Sequence, residues 1–177
     1  MTRDRAALPM LQDRLFLTDG GSETWLIFER GFELPEFASY PLLATDDGRA
    51  VLSEYLTPYL GSAGELGLGF VIETPTWRAS ADWGAKLGHD TAELDRLNRL
   101  AVADAARMRD AAALETPVVI SGTIGPRRDA YIGDTAMTAT EAADYHRAQI
   151  ETFADTEADL VTALTITNVE EIGRAHV

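Results

Sequence analysis

Leu15-Phe16-Leu17-Thr18 runs straight into Asp19-Gly20-Gly21-Ser22-Glu23-Thr24, and this junction decides the fold. An apolar run without polar alternation is the mark of a strand covered on both faces. The carboxylate and two glycines behind it form a turn whose backbone a ligand can approach. The layout returns as Phe70-Val71-Ile72 into Glu73-Thr74-Pro75-Thr76-Trp77, and as Val118-Val119-Ile120-Ser121 into Gly122-Thr123-Ile124-Gly125-Pro126. A fourth strand is expected over Leu160 to Thr165. The strand starts recur at the spacing of a βαβ unit, which predicts an α/β fold with a parallel sheet and right-handed crossovers. In barrels built this way the chemistry gathers where the strands end.

Helical periodicity fills the intervals. Leu52, Tyr55, Leu56 and Tyr59 share one face of a helix expected around Ala50 to Gly61, which Pro58 should interrupt or kink. Asp90-Thr91-Ala92-Glu93 and Thr138-Ala139-Thr140-Glu141 read as capping boxes, each opening a further helix.

The chain of 177 residues is long enough to bury a core, and 46% of it is hydrophobic without any run that could span a bilayer. Its formal net charge of -14 excludes a nucleic-acid or anionic-membrane surface, since binding phosphate needs clustered cations. Fourteen arginines stand against a single lysine, Lys86. Met1-Thr2-Arg3-Asp4-Arg5 leads into no apolar signal region, so a cytoplasmic protein is expected.

Taken together, the motifs resemble the homocysteine S-methyltransferase family. Its first strand ends in Asp-Gly-Gly or Asp-Gly-Ala, and its second in Thr-x-Thr-aromatic-x-Ala-Ser, here Thr74-Pro75-Thr76-Trp77-Arg78-Ala79-Ser80. Its Gly-Ser-x-Gly-Pro appears as Gly122 to Pro126, and its tyrosine-rich helix start resembles Tyr131-Ile132-Gly133-Asp134 followed by Tyr145-His146-Arg147. The resemblance covers roughly Leu15 to Glu170 and only the first half of the family's domain. It therefore implies a partial TIM (β/α)8 barrel, holding the first four parallel strands with their helices.

The implied reaction moves a methyl group from an onium or methylated-folate donor to the zinc-bound thiolate of homocysteine or a related thiol, in methionine biosynthesis. Family zinc is held by three cysteine thiolates that follow later strands, and this chain has no cysteine. Zinc is thus expected in the full-length parent and not in this fragment, which should be inactive alone.

Asp19 and Gly20 are the candidates for the acceptor side. The carboxylate can hold an ammonium group while bare N–H groups of the turn meet a carboxylate, and the resemblance gives both residues that role. On the donor side the resemblance points to Thr74 and Trp77, the latter able to stack on a cationic donor. A cation at Arg78 would repel such a donor. Glu73 is expected to point the other way and serve structure. His89, at a helix cap, and His146, on an apolar helix face, read as structural.

After the fourth strand the family commonly places a glutamate that shares the substrate ammonium, and here Leu164 stands in its place. That forgoes a charge-assisted bond worth roughly 1.5 to 3 kcal/mol. Leu164 keeps a second reading open, a non-catalytic ligand-binding or degenerate half-barrel, and a different enzyme on the same barrel is a third.

Glu171-Ile172-Gly173-Arg174-Ala175-His176-Val177 can be back-translated, from within the Glu171 codon onward, as the opening of a widely used sequencing-library adapter whose next codon is a stop. Residues 1–170 are accordingly expected to form the half-barrel, and residues 171–177 an adapter-derived tail. Stopping after four strands should leave the first and fourth unpaired and barrel-facing Leu, Val and Ile open to water, which favours self-association through the sheet edges.

Overall fold

The computed structural model describes residues 5, 7–129 and 137–172. Tyr131 to Asp134 of the sequence motif, and residues 173–177 of the expected tail, lie outside them. Four strands form one open sheet in the order β1-β2-β3-β4. They are β1 (Phe16–Leu17), β2 (Gly69–Glu73), β3 (Val118–Ile124) and β4 (Leu160–Ala163). Every pairing is parallel, with Leu17 opposite Phe70, Glu73 opposite Ser121 and Thr123 opposite Thr162. This is the α/β half-barrel that the sequence predicts.

Alternation along the strands sorts the side chains. Phe70, Ile72, Ile120 and Ile124 turn toward the helices, where they pack with Leu56 and Leu60 of α2 (Asp46–Leu66), Val102 and Ala105 of α4 (Thr91–Ala112) and Phe153 of α5 (Ala139–Ala154). Burying each of these large side chains contributes about 1.5 to 3 kcal/mol. A second cluster joins Leu26 of α1 (Ser22–Phe28) to Tyr40, Leu43, Leu52, Ala79, Leu94 and Leu97, sealing the loops that lead away from β1 and β2. The opposite face of the sheet carries Val71 and Val119, then a polar tier of Glu73, Ser121, Thr123 and Thr162. Val71 and Val119 are each 2% exposed, so the expectation that barrel-facing valines lie open to water does not hold.

Element bounds differ from the sequence reading, three of them informatively. The strand expected to stop at Ser121 continues to Ile124, because Gly122 faces the Phe153 ring where a Cβ would come within 2.6 Å of it. A glycine at that position lets helix and strand approach closely, and does not end the strand. The helix expected around Ala50 to Gly61, with Pro58 interrupting or kinking it, is not interrupted and runs from Asp46 to Leu66, with the Thr45 side chain accepting from Gly48 N at its start. β4 is shorter than expected and closes at Ala163, where Thr165 takes a left-handed backbone with φ 56°.

Both helix starts read from capping boxes are found. Asp90 accepts from Glu93 N over 2.9 Å, and Thr138 and Glu141 cap one another reciprocally. α3 (Ala81–Leu87) and α6 (Val169–Ile172) complete the described α-helices. No helix among the described residues is long and apolar enough to cross a membrane.

Candidate functional site

The turn after β1 holds the first candidate residues. Asp19 Oδ2 accepts from the Tyr55 hydroxyl over 2.7 Å. The same hydroxyl oxygen accepts from Gly21 N at 2.7 Å and from Gly20 N at 3.2 Å. The turn N–H groups that the sequence leaves bare are thus occupied by α2, whose Tyr55 is packed between Trp25 and Tyr59. Burial raises the Tyr55 phenol well above its ordinary value, and its bond to Asp19 adds to this, so the hydroxyl stays protonated and keeps donating. A ligand carboxylate reaching these amides has to displace Tyr55.

The end of β2 is a knot of hydroxyls. Thr74 is 3% exposed, and its Oγ1 accepts from Thr123 N at 3.0 Å and shares a 2.7 Å bond with Thr76 Oγ1. Thr76 Oγ1 in turn donates to Thr123 O over 2.8 Å. Thr74 therefore ties the ends of β2 and β3 together. Behind the turn, Asn98 Nδ2 donates to Ala79 O, and Gln149 Nε2 to Thr76 O and Asn98 Oδ1, each over 3.0 Å. These buried amides fix residues 74–80 over the strand ends.

Glu73 lies on the inward face, where its Oε2 accepts from Thr123 Oγ1 over 2.7 Å. Ser121 and Thr162, themselves 2.6 Å apart, complete the tier. Burial pushes the Glu73 carboxyl above its ordinary range, and the Asp19 charge adds to this against the pull of the Thr123, Ser121 and Thr162 hydroxyls. Asp19 and Glu73 are thus two carboxyl groups on one mouth, close enough to feel each other, and among the described residues neither has a cationic side chain within salt-bridge distance. Such a pair can receive a cationic group from a ligand.

Trp77 spans the mouth. Its indole Nε1 donates to Leu164 O at 3.3 Å and Thr165 Oγ1 at 3.1 Å, binding the end of β2 to the end of β4. Beneath it Gly125 approaches so closely that a Cβ would meet Trp77 O at 2.5 Å. The Arg78 guanidinium lies 4.0 Å from the Trp77 ring centroid, so the protein's own cation takes one face of the ring that a cationic donor would use. Leu164 is 39% exposed at the end of β4.

The two described histidines are engaged elsewhere. His89 Nδ1 is 2.8 Å from the Tyr40 hydroxyl, and His146 Nε2 is 2.8 Å from Glu171 Oε1, which also accepts from Arg127 N. No group of three or more metal-ligating side chains exists among the described residues, and the sequence offers no thiol. The residues present do not fit a zinc site. A cavity of about 610 Å³ between α2 and α4 is touched by Glu73 and Thr74, but its walls are Leu52, Leu56, Leu60 and Met108, and Asp19, Gly20 and Trp77 do not line it.

A family profile described as homocysteine S-methyltransferase matches residues 16–176. The chain belongs to the homocysteine S-methyltransferase family. Its fold is similar to that of the homocysteine methyltransferase MmuM from Escherichia coli, with a TM-score of 0.74 and 22% identity for the metallated form. For the oxidized form the values are 0.77 and 24%. The alignments cover 95% and 97% of this chain and 60% of each MmuM chain, so the chain spans about three fifths of the length of the solved structures it matches. No curated protein sequence matches it.

Of the four residues singled out in the sequence, Asp19 and Gly20 meet at one turn, while Thr74 and Trp77 line the adjoining strand end and hold it in place. Two groups escaped the sequence reading. Tyr55 read as one more residue of an amphipathic face, although its pairing with Tyr59 one turn later marks an aromatic wall opposite the glycine turn. Glu73 read as structural, although alternation from Ile72, which faces the helices, turns it inward.

Proposed function

We propose that this chain is the N-terminal half of an S-methyltransferase barrel, which moves a methyl group from an onium or methylated-folate donor to the thiolate of homocysteine or a related thiol. The observation that carries the reading is the pair of carboxyl groups at neighbouring strand ends, Asp19 and Glu73, beside the Gly20-Gly21 amides, in a chain of this family. Asp19 holds the acceptor's ammonium group and the turn amides its carboxylate, once Tyr55 yields them. Residues 74–77 form the wall on the donor side, with Thr74 and Trp77 keeping the ends of β2, β3 and β4 in register around the reacting groups. In the family the bound zinc acidifies the acceptor thiol. The sequence has no cysteine and the described residues offer no ligand set for it, so the metal belongs to the remainder of the barrel in a full-length parent. The chain alone is then inactive, and works in the cytoplasm only as part of that parent.

The test is binding. L-Homocysteine titrated into the chain should shift the NMR resonances of Gly20 and Gly21, and Asp19→Asn should weaken that binding about tenfold or more. No shift at these amides at millimolar ligand overturns the reading. Methyl transfer to homocysteine by the chain alone overturns its inactive-half component, as does one tightly held zinc per chain in metal analysis.

A second reading, a ligand-binding or degenerate half-barrel without chemistry, is favoured by one observation. The Tyr55 hydroxyl already fills the turn that a substrate carboxylate would use.

A further inference from the structure

Arg78 carries a guanidinium that neither the fold nor the proposed chemistry uses. It is 7% exposed, its Nε and Nη1 are buried without any acceptor, and among the described residues it makes no hydrogen bond or ion pair. Buried polar groups are paired in nearly every native protein, so an orphan of this kind calls for a ligand. Two indoles hold the group, with Trp77 at 4.0 Å and Trp83 at 3.5 Å from the guanidinium carbon to the ring centroids. Ring faces stabilise its charge but satisfy none of its in-plane donors.

Other cations near these rings are already matched. Lys86, 3.9 Å from the Trp83 centroid, pairs with Glu36 at 3.3 Å. Arg127, over the Tyr145 ring, pairs with Asp82 at 2.7 Å. Asp129, Glu36 and Glu23 act on Arg78 only through their charge, and burial pushes its pKa down.

The setting is rigid and lies at the strand ends. Trp83 Nε1 donates to Pro126 O beyond β3 over 3.0 Å, while Trp77 Nε1 is tied to Leu164 and Thr165 beyond β4. Both slabs are therefore locked by the ends of neighbouring strands, and the planar fork between them is set before any ligand arrives. Preorganisation of this kind lowers the cost of binding. A fixed guanidinium fork matches a planar carboxylate. Nη2, the nitrogen not enclosed in this way, is the route of approach.

We propose that Arg78 is the anchor for the carboxylate of the methyl donor, a role that rests on the function proposed above. The site then takes donors that carry a carboxylate, and holds that end against the two indoles with the methyl-bearing centre free to face the acceptor. In a protein with a net charge of -14, a dedicated cation of this kind decides whether an anionic group enters at all.

The experiment follows tryptophan fluorescence of the whole chain during titration with glutarate, with its uncharged counterpart glutaramide, and with inorganic phosphate. Glutarate should give a saturable change and glutaramide none, and Arg78→Gln should lower the apparent affinity for glutarate at least tenfold. Arg78→Met, which fills the space between the rings with an apolar chain, should keep the circular dichroism of the wild type and show the same loss. Equal responses to glutarate and glutaramide, or an unchanged affinity in both variants, overturn the proposal. Phosphate binding more tightly than glutarate overturns the carboxylate assignment. L-Homocysteine failing to bind while glutarate binds at Arg78 removes the donor role and the function reading, but leaves the carboxylate site. The reverse result removes the site alone.

Discussion

The Tyr55 hydroxyl donates to Asp19 Oδ2 and accepts from Gly21 N, each over 2.7 Å, so one phenol closes the turn at the head of the barrel. Tyr55→Phe keeps the ring packed against Trp25 and Tyr59 and removes only the oxygen. Two amides and a carboxylate then lose their protein partner, at a cost of about 1 to 3 kcal/mol. A lowered urea midpoint with an unchanged slope is expected. In the same variant the freed amides should bind the homocysteine carboxylate more tightly. A variant as stable as the wild type would show the contact to be idle.

Glu73 has its carboxyl raised above the ordinary value of 4.5 by burial. A group raised in the folded state contributes stability that is fully present below its unfolded pKa and is lost as pH rises through the folded one. Glu73→Gln abolishes that loss. Thermal melts should show the variant more stable than the wild type at pH 7 and no more stable at pH 4. A wild type that gains stability between pH 4.5 and pH 7 relative to the variant contradicts the assignment.

Gly125→Ala places a methyl group where Trp77 O and Nε1 now lie, 2.5 and 2.6 Å away. Displacing a locked indole costs about 1 to 3 kcal/mol, as overpacking does elsewhere. The shift should break the Trp77 bonds to Leu164 and Thr165 and change the tryptophan emission. An unaltered spectrum together with wild-type stability would mean that the turn has slack.

Self-association is expected from the edges. Among the described residues β1 pairs only with β2, and β4 only with β3, so each leaves its outer row of backbone groups without a strand partner there. Sedimentation at micromolar concentration should show species heavier than the 19.2 kDa chain. A clean monomer over that range would argue that the edges are protected.

The architecture was legible because its signals are local. Apolar runs such as Phe70 to Ile72 mark buried strands, and Asp90 and Thr138 announce their helices by side-chain chemistry that acts within three residues. Where several elements compete, the sequence misleads. Gly122 reads as a stop, yet the ring of Phe153, thirty-one positions away, makes a glycine there a condition for continuing the strand. The site divides the same way. Asp19 and Gly20 stand out because Asp-Gly-Gly follows an apolar run and the family resemblance gives the turn a role, whereas the contacts of Tyr55 and Glu73 arise only when α2 is brought against the turn and β3 against β2.

β1 contributes just two residues to the sheet, against seven for β3. Asp19, proposed to hold the acceptor's ammonium group, thus hangs from the least paired strand, and its side-chain partner Tyr55 comes sideways, from a helix. Hydrogen exchange at Leu17 should accordingly run faster than at Ile120, and slow when a ligand engages Asp19. Occupancy of the turn then acts as a clasp for the first strand, so that the chain's order and its cargo rise and fall together.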